Sequence, residues 1–342
     1  MQCPVCGKDC VSRAEDLIAT LPEVFSGCPS CRVKILDKAM PPPAGPPAEP
    51  CGCNRRFIDQ VFAHLYKILV EEGKFTGKEP LGAVGIPLVH PGFFMTAPPF
   101  LPPDSLVLVS RVTDKNTAAR MKKEVPEIRG VVEGGNFVPG VVDPDLKQPP
   151  RTYTLLAGCD VRADVFPTAA GPVVTYKQQS CVHIEFPREF NPKITNVEER
   201  IRADRPEIFV DASSGVGTLG LTAGRMKVPH VIFNDIWYAA AFWTAFNLSV
   251  NREFFDLDEI RILKSYESMK EAPVLEGPEK IAEGKGGQMM EVFQGDYGVL
   301  PKVLPKGTLL TVLDLFEKKD SVRVDKALRR WREHASGEVF IP

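Results

Sequence analysis

Residues 207–251, EIFVDASSGVGTLGLTAGRMKVPHVIFNDIWYAAAFWTAFNLSVN, constrain the fold of this chain more than any other stretch. An apolar run at 208–210 ends in Asp211, a turn of small residues with Gly215 and Gly217 follows, and a helical pattern opens at Thr218. A second apolar run, 231–233, ends in Asn234 and Asp235 before another helical segment at 239–251. The pattern predicts β-α-β-α with an acid at the carboxyl end of each strand. In an open parallel sheet a ligand lies beyond those ends, and glycines in the first turn let backbone N–H groups approach it with no Cβ in the way. Asp235 would then accept from ribose hydroxyls, with Asp211, Ser213, Gly215 and Gly217 as the other candidate cofactor contacts of the turn. Gly215, Gly217 and Gly220 satisfy G-x-G-x-x-G, a spacing that nicotinamide, flavin and S-adenosylmethionine (SAM) sites share.

The flanking residues separate these readings. The order D-A-S-S-G-V-G-T-L-G, F-N-D-I, A-F-N-L-S-V-N resembles class I SAM-dependent methyltransferases, in particular the archaeal and eukaryotic tRNA guanine-N1 methyltransferases acting at position 37 and their wybutosine-synthesis relatives. Upstream, FNPKITNVEERI at 190–201 resembles the family segment F-[NS]-P-R-L-[ST]-x-E-R-x-R-I. The resemblance covers residues 153–315, about half the chain. It implies an α/β fold: a Rossmann-like class I methyltransferase sheet, preceded by a small α/β domain, with SAM as cofactor and tRNA or another RNA as partner. G-D-x-x-x-V-L-P at 295–301 resembles the turn after the third SAM strand, which implies that Asp296 faces adenine; as a bare sequence feature it equally caps the helix that follows.

Three further positions are catalytic candidates by the same resemblance. Lys193 stands where the family has arginine, keeping charge and losing the bidentate fork. Glu199 and Arg200 match the family's charged pair, or else form an ion pair on a helix surface. The fourth strand, 309–313, ends in Asp314-Leu315-Phe316, where the relatives carry Asn-Leu-Pro or Asn-Pro-Pro. Asp314 cannot donate as an amide; it is either a general base or a structural acid at the strand end. Methyl transfer chiefly needs its acceptor held in line with the sulfonium, so a base is optional.

The cysteines define a second constraint. Seven of nine fall in the first 53 residues: Cys3, Cys6, Cys10, Cys28, Cys31, Cys51 and Cys53. Two C-P-x-C knuckles, Cys3 with Cys6 and Cys28 with Cys31, have the spacing of one tetrahedral four-cysteine zinc site in a ribbon-like module. Cys10, Cys51 and Cys53 remain for a second metal site or an iron–sulfur cluster. Cys159, Cys181 and His183 are expected to be structural. So short a module buries little core, and the metal would supply the folding energy that packing cannot.

The expected organisation is a cysteine-rich module at 1–39, a proline-rich linker with extra cysteines at 40–56, a small α/β domain at 57–186 and the SAM-binding domain at 187–342. Helices are predicted at 14–21, 57–75, 116–124 and 318–334, with His64 a packing or solvent residue of the second. Strands are predicted at 105–112, from 130, at 153–156, 161–166, 173–176, 181–186, 290–293 and 338–341. Residues 81–103 read as irregular coil, 141–152 as a loop with Pro144, Pro149 and Pro150, and 254–288 as an insertion or flexible loop. Only five strands of a seven-stranded sheet are then legible, so the sheet is expected to be truncated or completed by the preceding domain or a partner chain.

Net charge is −2 and the sequence pI about 6.3, which weighs against the whole chain as a nucleic-acid binder and leaves two local basic clusters, at 120–123 and 318–332. With no long apolar run and no leader-like start, the expected location is cytoplasmic. The function expected is SAM-dependent methyl transfer to RNA. Its alternatives are a protein or small-molecule acceptor, aminocarboxypropyl transfer on the same fold, and a non-catalytic docking protein with a degenerate methyltransferase fold.

Overall fold

A computed structural model describes residues 1–141, 149–316 and 318–342; Pro144 of the expected loop lies outside them. The first half of the chain contains α1 (Ala14–Val24), an extended proline-rich run, β1 (Arg56–Phe57) and α2 (Ile58–Glu71). The helix α2 forms as its apolar spacing predicts, with Val61, Phe62, Leu65, Ile68 and Leu69 buried on one face. Next come β2 (Ile86–Val89), β3 (Phe100–Leu101), β4 (Leu106–Ser110), α3 (Lys115–Glu124), β5 (Ile128–Glu133) and β6 (Thr154–Gly158). Strands β2, β4, β5 and β6 form one sheet, and residues 81–103, expected to be coil, supply two short strands. An antiparallel hairpin, β7 (Val161–Phe166) and β8 (Val173–Gln178), follows. Residues 181–186 form no strand; they lack a ladder partner and are held by side chains instead.

The remainder builds the large sheet: α4 (Pro192–Asp204), β9 (Ile208–Asp211), α5 (Thr218–Arg225), β10 (His230–Asp235), α6 (Tyr238–Val250), β11 (Glu259–Ile262), α7 (Tyr266–Met269), β12 (Glu279–Lys285), β13 (Met289–Gln294), β14 (Leu309–Val312), α8 (Ser321–Arg332) and β15 (Glu338–Phe340). Its order is β11-β12-β13-β10-β9-β14-β15. The five strands from β13 to β15 are parallel, in the third-second-first-fourth-fifth order of a doubly wound fold. That order reverses between β9 and β14, the switch point beyond which such sheets bind ligands.

The sheet thus has seven strands, and the two that sequence reading missed come from the segment expected to be a loop. The hairpin β11–β12 adds antiparallel to β13 at the sheet edge. Its strands carry few apolar residues, because charged pairs such as Arg261 with Glu283 and Lys280 with Glu291 cover the exposed face. Alternation is therefore faint in GPEKIAEGKGG.

Of four apolar clusters among the described residues, two tie the amino-terminal segment to the sheets. One joins Cys3, Val11, Ala14 and Leu17 to Val161, Val174 and Tyr176 of the hairpin and to the strands and helices of the large sheet. The other runs from Phe25 through α2 to Val131. The amino-terminal segment therefore divides, its first part packing on the large sheet and its second on the small one. Between sheet and hairpin lies α6, apolar over most of its circumference and buried nearly throughout.

Candidate functional site

The strand-end acids converge on the glycine turn. Asp211 is buried; its Oδ2 accepts the Gly220 N–H at 2.9 Å, and its Oδ1 has no partner. Burial, reinforced by the nearby charges of Asp314 and Asp235, pushes its carboxyl up to about 8. Gly215 and Gly217 adopt φ of 56° and 93°, left-handed conformations that a side chain would strain. Asp235 accepts from the Gly215 and Trp237 N–H groups, both at 2.9 Å, and burial raises it to about 6. Each of its oxygens retains a second lone pair. The Ser213 hydroxyl, also buried, has no partner.

Sheet register places the third acid at the same rim. Asp235 lies opposite Gln294 of β13, two residues before Asp296. Asp296 Oδ1 accepts the Gly298 N–H at 2.7 Å, and Oδ2 pairs with Arg330 at 3.1 Å, so this acid closes its own turn and ties it to α8. On the other side of β9, Asp211 lies opposite Val312, two residues before Asp314.

Asp314 is held by two cations. Lys193, on the first turn of α4, reaches Oδ2 at 2.7 Å, and Lys318 reaches Oδ1 at 2.6 Å. Phe316 beyond it is 59% exposed and meets the His183 ring edge-on, 5.1 Å between centroids at 85°. His183 lies over the turn: its Cε1 would be 3.7 Å from a Cβ built on Gly215. The Trp237 indole fixes this placement by donating to the Cys181 carbonyl at 2.8 Å. Behind the imidazole, His183 Nε2 is 3.7 Å from Glu185 Oε1, and Glu185 Oε2 is 3.5 Å from the buried Lys177 Nζ. The sequence alone reads His183 as structural; the signal that could have found it is an H-x-E pair just ahead of the FNPK segment. Glu199 is exposed on α4, and Arg200 pairs with Glu338 at 2.7 Å instead of with Glu199. A cavity of about 390 Å³ lies elsewhere, at the amino end of β14 beside Asp204, Gly307 and Glu338.

The cysteines form two clusters, and the knuckles expected to share one site belong to different ones. Cys3 and Cys6 gather with Cys10 and Cys159; Cys28 and Cys31 gather with Cys51 and Cys53. Cys159, expected to be structural, arrives from the β6–β7 turn, a long-range contact that no local spacing reveals. Within each cluster all four sulfurs lie within 4.8 Å of one another, and the closest pairs are 3.5–3.9 Å apart. Four sulfurs about 2.3 Å from one tetrahedral ion stand about 3.8 Å apart, so each set fits a single zinc-sized ion. Four thiols this close cannot all ionise alone: the Ser30 N–H helps bring Cys28 down to about 7, while burial and Cys53 push Cys31 up to about 12.

The described fold is mixed α/β, with a seven-stranded sheet resembling the methyltransferase fold and two four-cysteine clusters near the amino terminus. No family model matches the chain, and no curated protein does. Similar solved structures include Trm1 from Pyrococcus horikoshii with S-adenosyl-L-methionine, at 21% identity and TM-score 0.32 over 44% of this chain and 36% of that one. The complex of aTrm5 and tRNALeu aligns at 14% identity and TM-score 0.34 over 80% of this chain and 62% of that one. P. horikoshii TYW2 in complex with MeSAdo aligns at 16% and 0.33 over 74% and 71%. The chain thus spans well under two thirds of the first of these. Likeness this distant carries nothing about activity, and the fold assignment rests on strand order. Among the described residues, no helix is long and apolar enough to cross a membrane.

Proposed function

We propose that this chain is a SAM-dependent methyltransferase acting on RNA, with two structural zinc ions. The observation that carries the reading is the pair of orphaned buried atoms, Asp211 Oδ1 and Ser213 Oγ, beside a left-handed glycine turn at the switch point of a doubly wound sheet. Buried polar atoms without partners mark a place where a polar ligand completes the bonding. In this reading Asp235 offers its remaining lone pairs to ribose hydroxyls, Asp211 and Ser213 face the charged end of the cofactor, and Asp296 faces adenine. When bound, SAM supplies a methyl group activated on a sulfonium.

The acceptor is read from the mouth. Phe186, Phe190 and Phe316 are 56%, 63% and 59% exposed; Arg162 lies over the Phe186 ring, His183 meets Phe316, and Lys193 and Lys318 flank Asp314 two residues before Phe316. Exposed rings among cations suit unstacked bases on a phosphate backbone. Lys193 and Asp314 act here as a positioning pair, and Glu199, on the outer face of α4, contributes charge at most. The Cys3/Cys6/Cys10/Cys159 ion would fasten the amino terminus to the hairpin, and the Cys28/Cys31/Cys51/Cys53 ion would close the linker.

One observation favours a docking protein instead: both oxygens of Asp314 are already engaged by lysines. Incubation with methyl-labelled SAM and cell extract separates the readings. The expected label is released by nuclease; release by protease moves the acceptor to protein, and absence of label favours the docking reading.

A further inference from the structure

We propose that His183, oriented by Glu185 and Lys177, is the proton acceptor of the transfer reaction, a role that Asp314 is not free to fill. This rests on the methyltransferase reading. The imidazole packs over the Gly215 turn, on which Asp235 also bonds, and stands between that turn and the exposed Phe316 ring. Asp314 is bracketed by Lys193 and Lys318, which stand 2.7 and 2.6 Å from its two oxygens and occupy the side it would present to an acceptor.

The network behind His183 has the layout of an oriented base. Glu185 Oε1 stands 3.7 Å from Nε2, an ion-pair contact beyond hydrogen-bond distance that stabilises an imidazolium, and Nδ1 is the nitrogen that receives the proton in this proposal. Lys177, fully buried with no hydrogen-bond partner of its own, stands 3.5 Å from the other Glu185 oxygen and 3.8 Å from Asp164. Lys177 and His183 hold the partly exposed Glu185 carboxyl below the usual carboxylate range, against the desolvation that would raise it. The charged groups around the imidazole are Glu185 on its own segment and Asp235 on β10, while Lys177 on β8 and Lys193 at the start of α4 act on Glu185 behind it.

The step balances without another reagent. The acceptor's lone pair forms a bond to the methyl carbon as the carbon–sulfur bond breaks, its electron pair going to sulfur. The proton of the acceptor N–H, O–H or S–H passes to His183 Nδ1 and then to solvent. Glu185 stabilises the imidazolium between the two events.

The test reads the imidazole directly, without an acceptor. The chain has five histidines, and the Cε1–H signal of His183 in zinc-loaded, 13C-histidine-labelled protein is assigned by its loss in His183→Asn. Its pKa is measured with saturating SAM and with saturating S-adenosylhomocysteine, which lacks the positive charge. A base facing the sulfonium shows a pKa lower by about one unit with SAM, and Glu185→Gln lowers it further in both complexes. Calorimetry run beside the titration keeps the failures apart. SAM binding with no difference between the two ligands overturns the His183 role alone, whereas no SAM binding overturns both this role and the methyltransferase reading.

Discussion

The side-chain amide of Asn247 hydrogen-bonds both backbone groups of Tyr176, accepting from its N–H at 2.8 Å and donating to its C=O at 3.0 Å. One helical turn on, Asn251 treats Val174 the same way, at 2.9 and 2.6 Å. Residues four apart share a helix face, and residues two apart share a strand edge, so α6 serves β8 as a neighbouring strand would. Asn247 also donates to the Val216 carbonyl at 3.0 Å, which fastens the hairpin and the glycine turn to one side chain.

Replacing Asn247 by alanine strands two carbonyls and one N–H in the interior. Unpartnered buried groups cost about 1–3 kcal/mol each, and partial relaxation reduces the sum, so urea denaturation is expected to show a loss of about 3 kcal/mol. A loss below about 1 kcal/mol would mean that the hairpin does not depend on this contact.

Metal analysis of purified protein is expected to give two zinc ions per chain. Cys159→Ser should reduce that to about one and loosen the amino-terminal segment, as read by limited proteolysis, while Cys53→Ser should remove the other ion. A single ion unaffected by Cys159→Ser would restore the ribbon that the knuckle spacing alone suggests.

What was legible in the sequence follows the range of the interactions. The turn, both strand-end acids and the parallel order around them rest on short-range patterns: an apolar run, an acid, small residues, a helix. Cys159 was not legible because Cys3, against which it packs, lies 156 residues away and only the fold brings them together. Strands β11 and β12 escaped because their outward faces are covered by ion pairs, which dilute the apolar alternation. His183 was overlooked for a different reason: its neighbours suggested a strand, and only Trp237's hold on Cys181 shows that the segment turns across the glycine bend.

Two raised carboxyls set a pH dependence. Asp211 titrates near 8 and Asp235 near 6 in the folded chain, both chiefly through burial, against about 4 when unfolded. Between pH 4 and 8 the native state therefore holds protons that the unfolded chain has released, and these two groups lower stability as pH rises through that window. Urea unfolding of Asp211→Asn, whose side chain does not titrate, should show a shallower decline from pH 5 to pH 8 than wild type. An unchanged slope would place the Asp211 titration elsewhere.

The Lys193–Asp314 contact is partly exposed, with 40% of the lysine side chain and 21% of the aspartate open to solvent. Such pairs contribute about 0–1 kcal/mol, so Asp314→Asn should unfold within about 1 kcal/mol of wild type and bind SAM as wild type does. Labelled-methyl incorporation should fall, because the acceptor side of the crevice loses its fixed charge pattern. Loss of SAM binding in this variant would place Asp314 among the cofactor contacts.

The most direct measurement is calorimetric titration of SAM into the zinc-loaded protein, beside Asp235→Ala. Saturable binding at one site per chain that disappears in the variant is the predicted result. No heat with either protein, or equal binding by both, would contradict the assignment of the crevice at Asp211, Gly215 and Asp235 to an adenosyl cofactor.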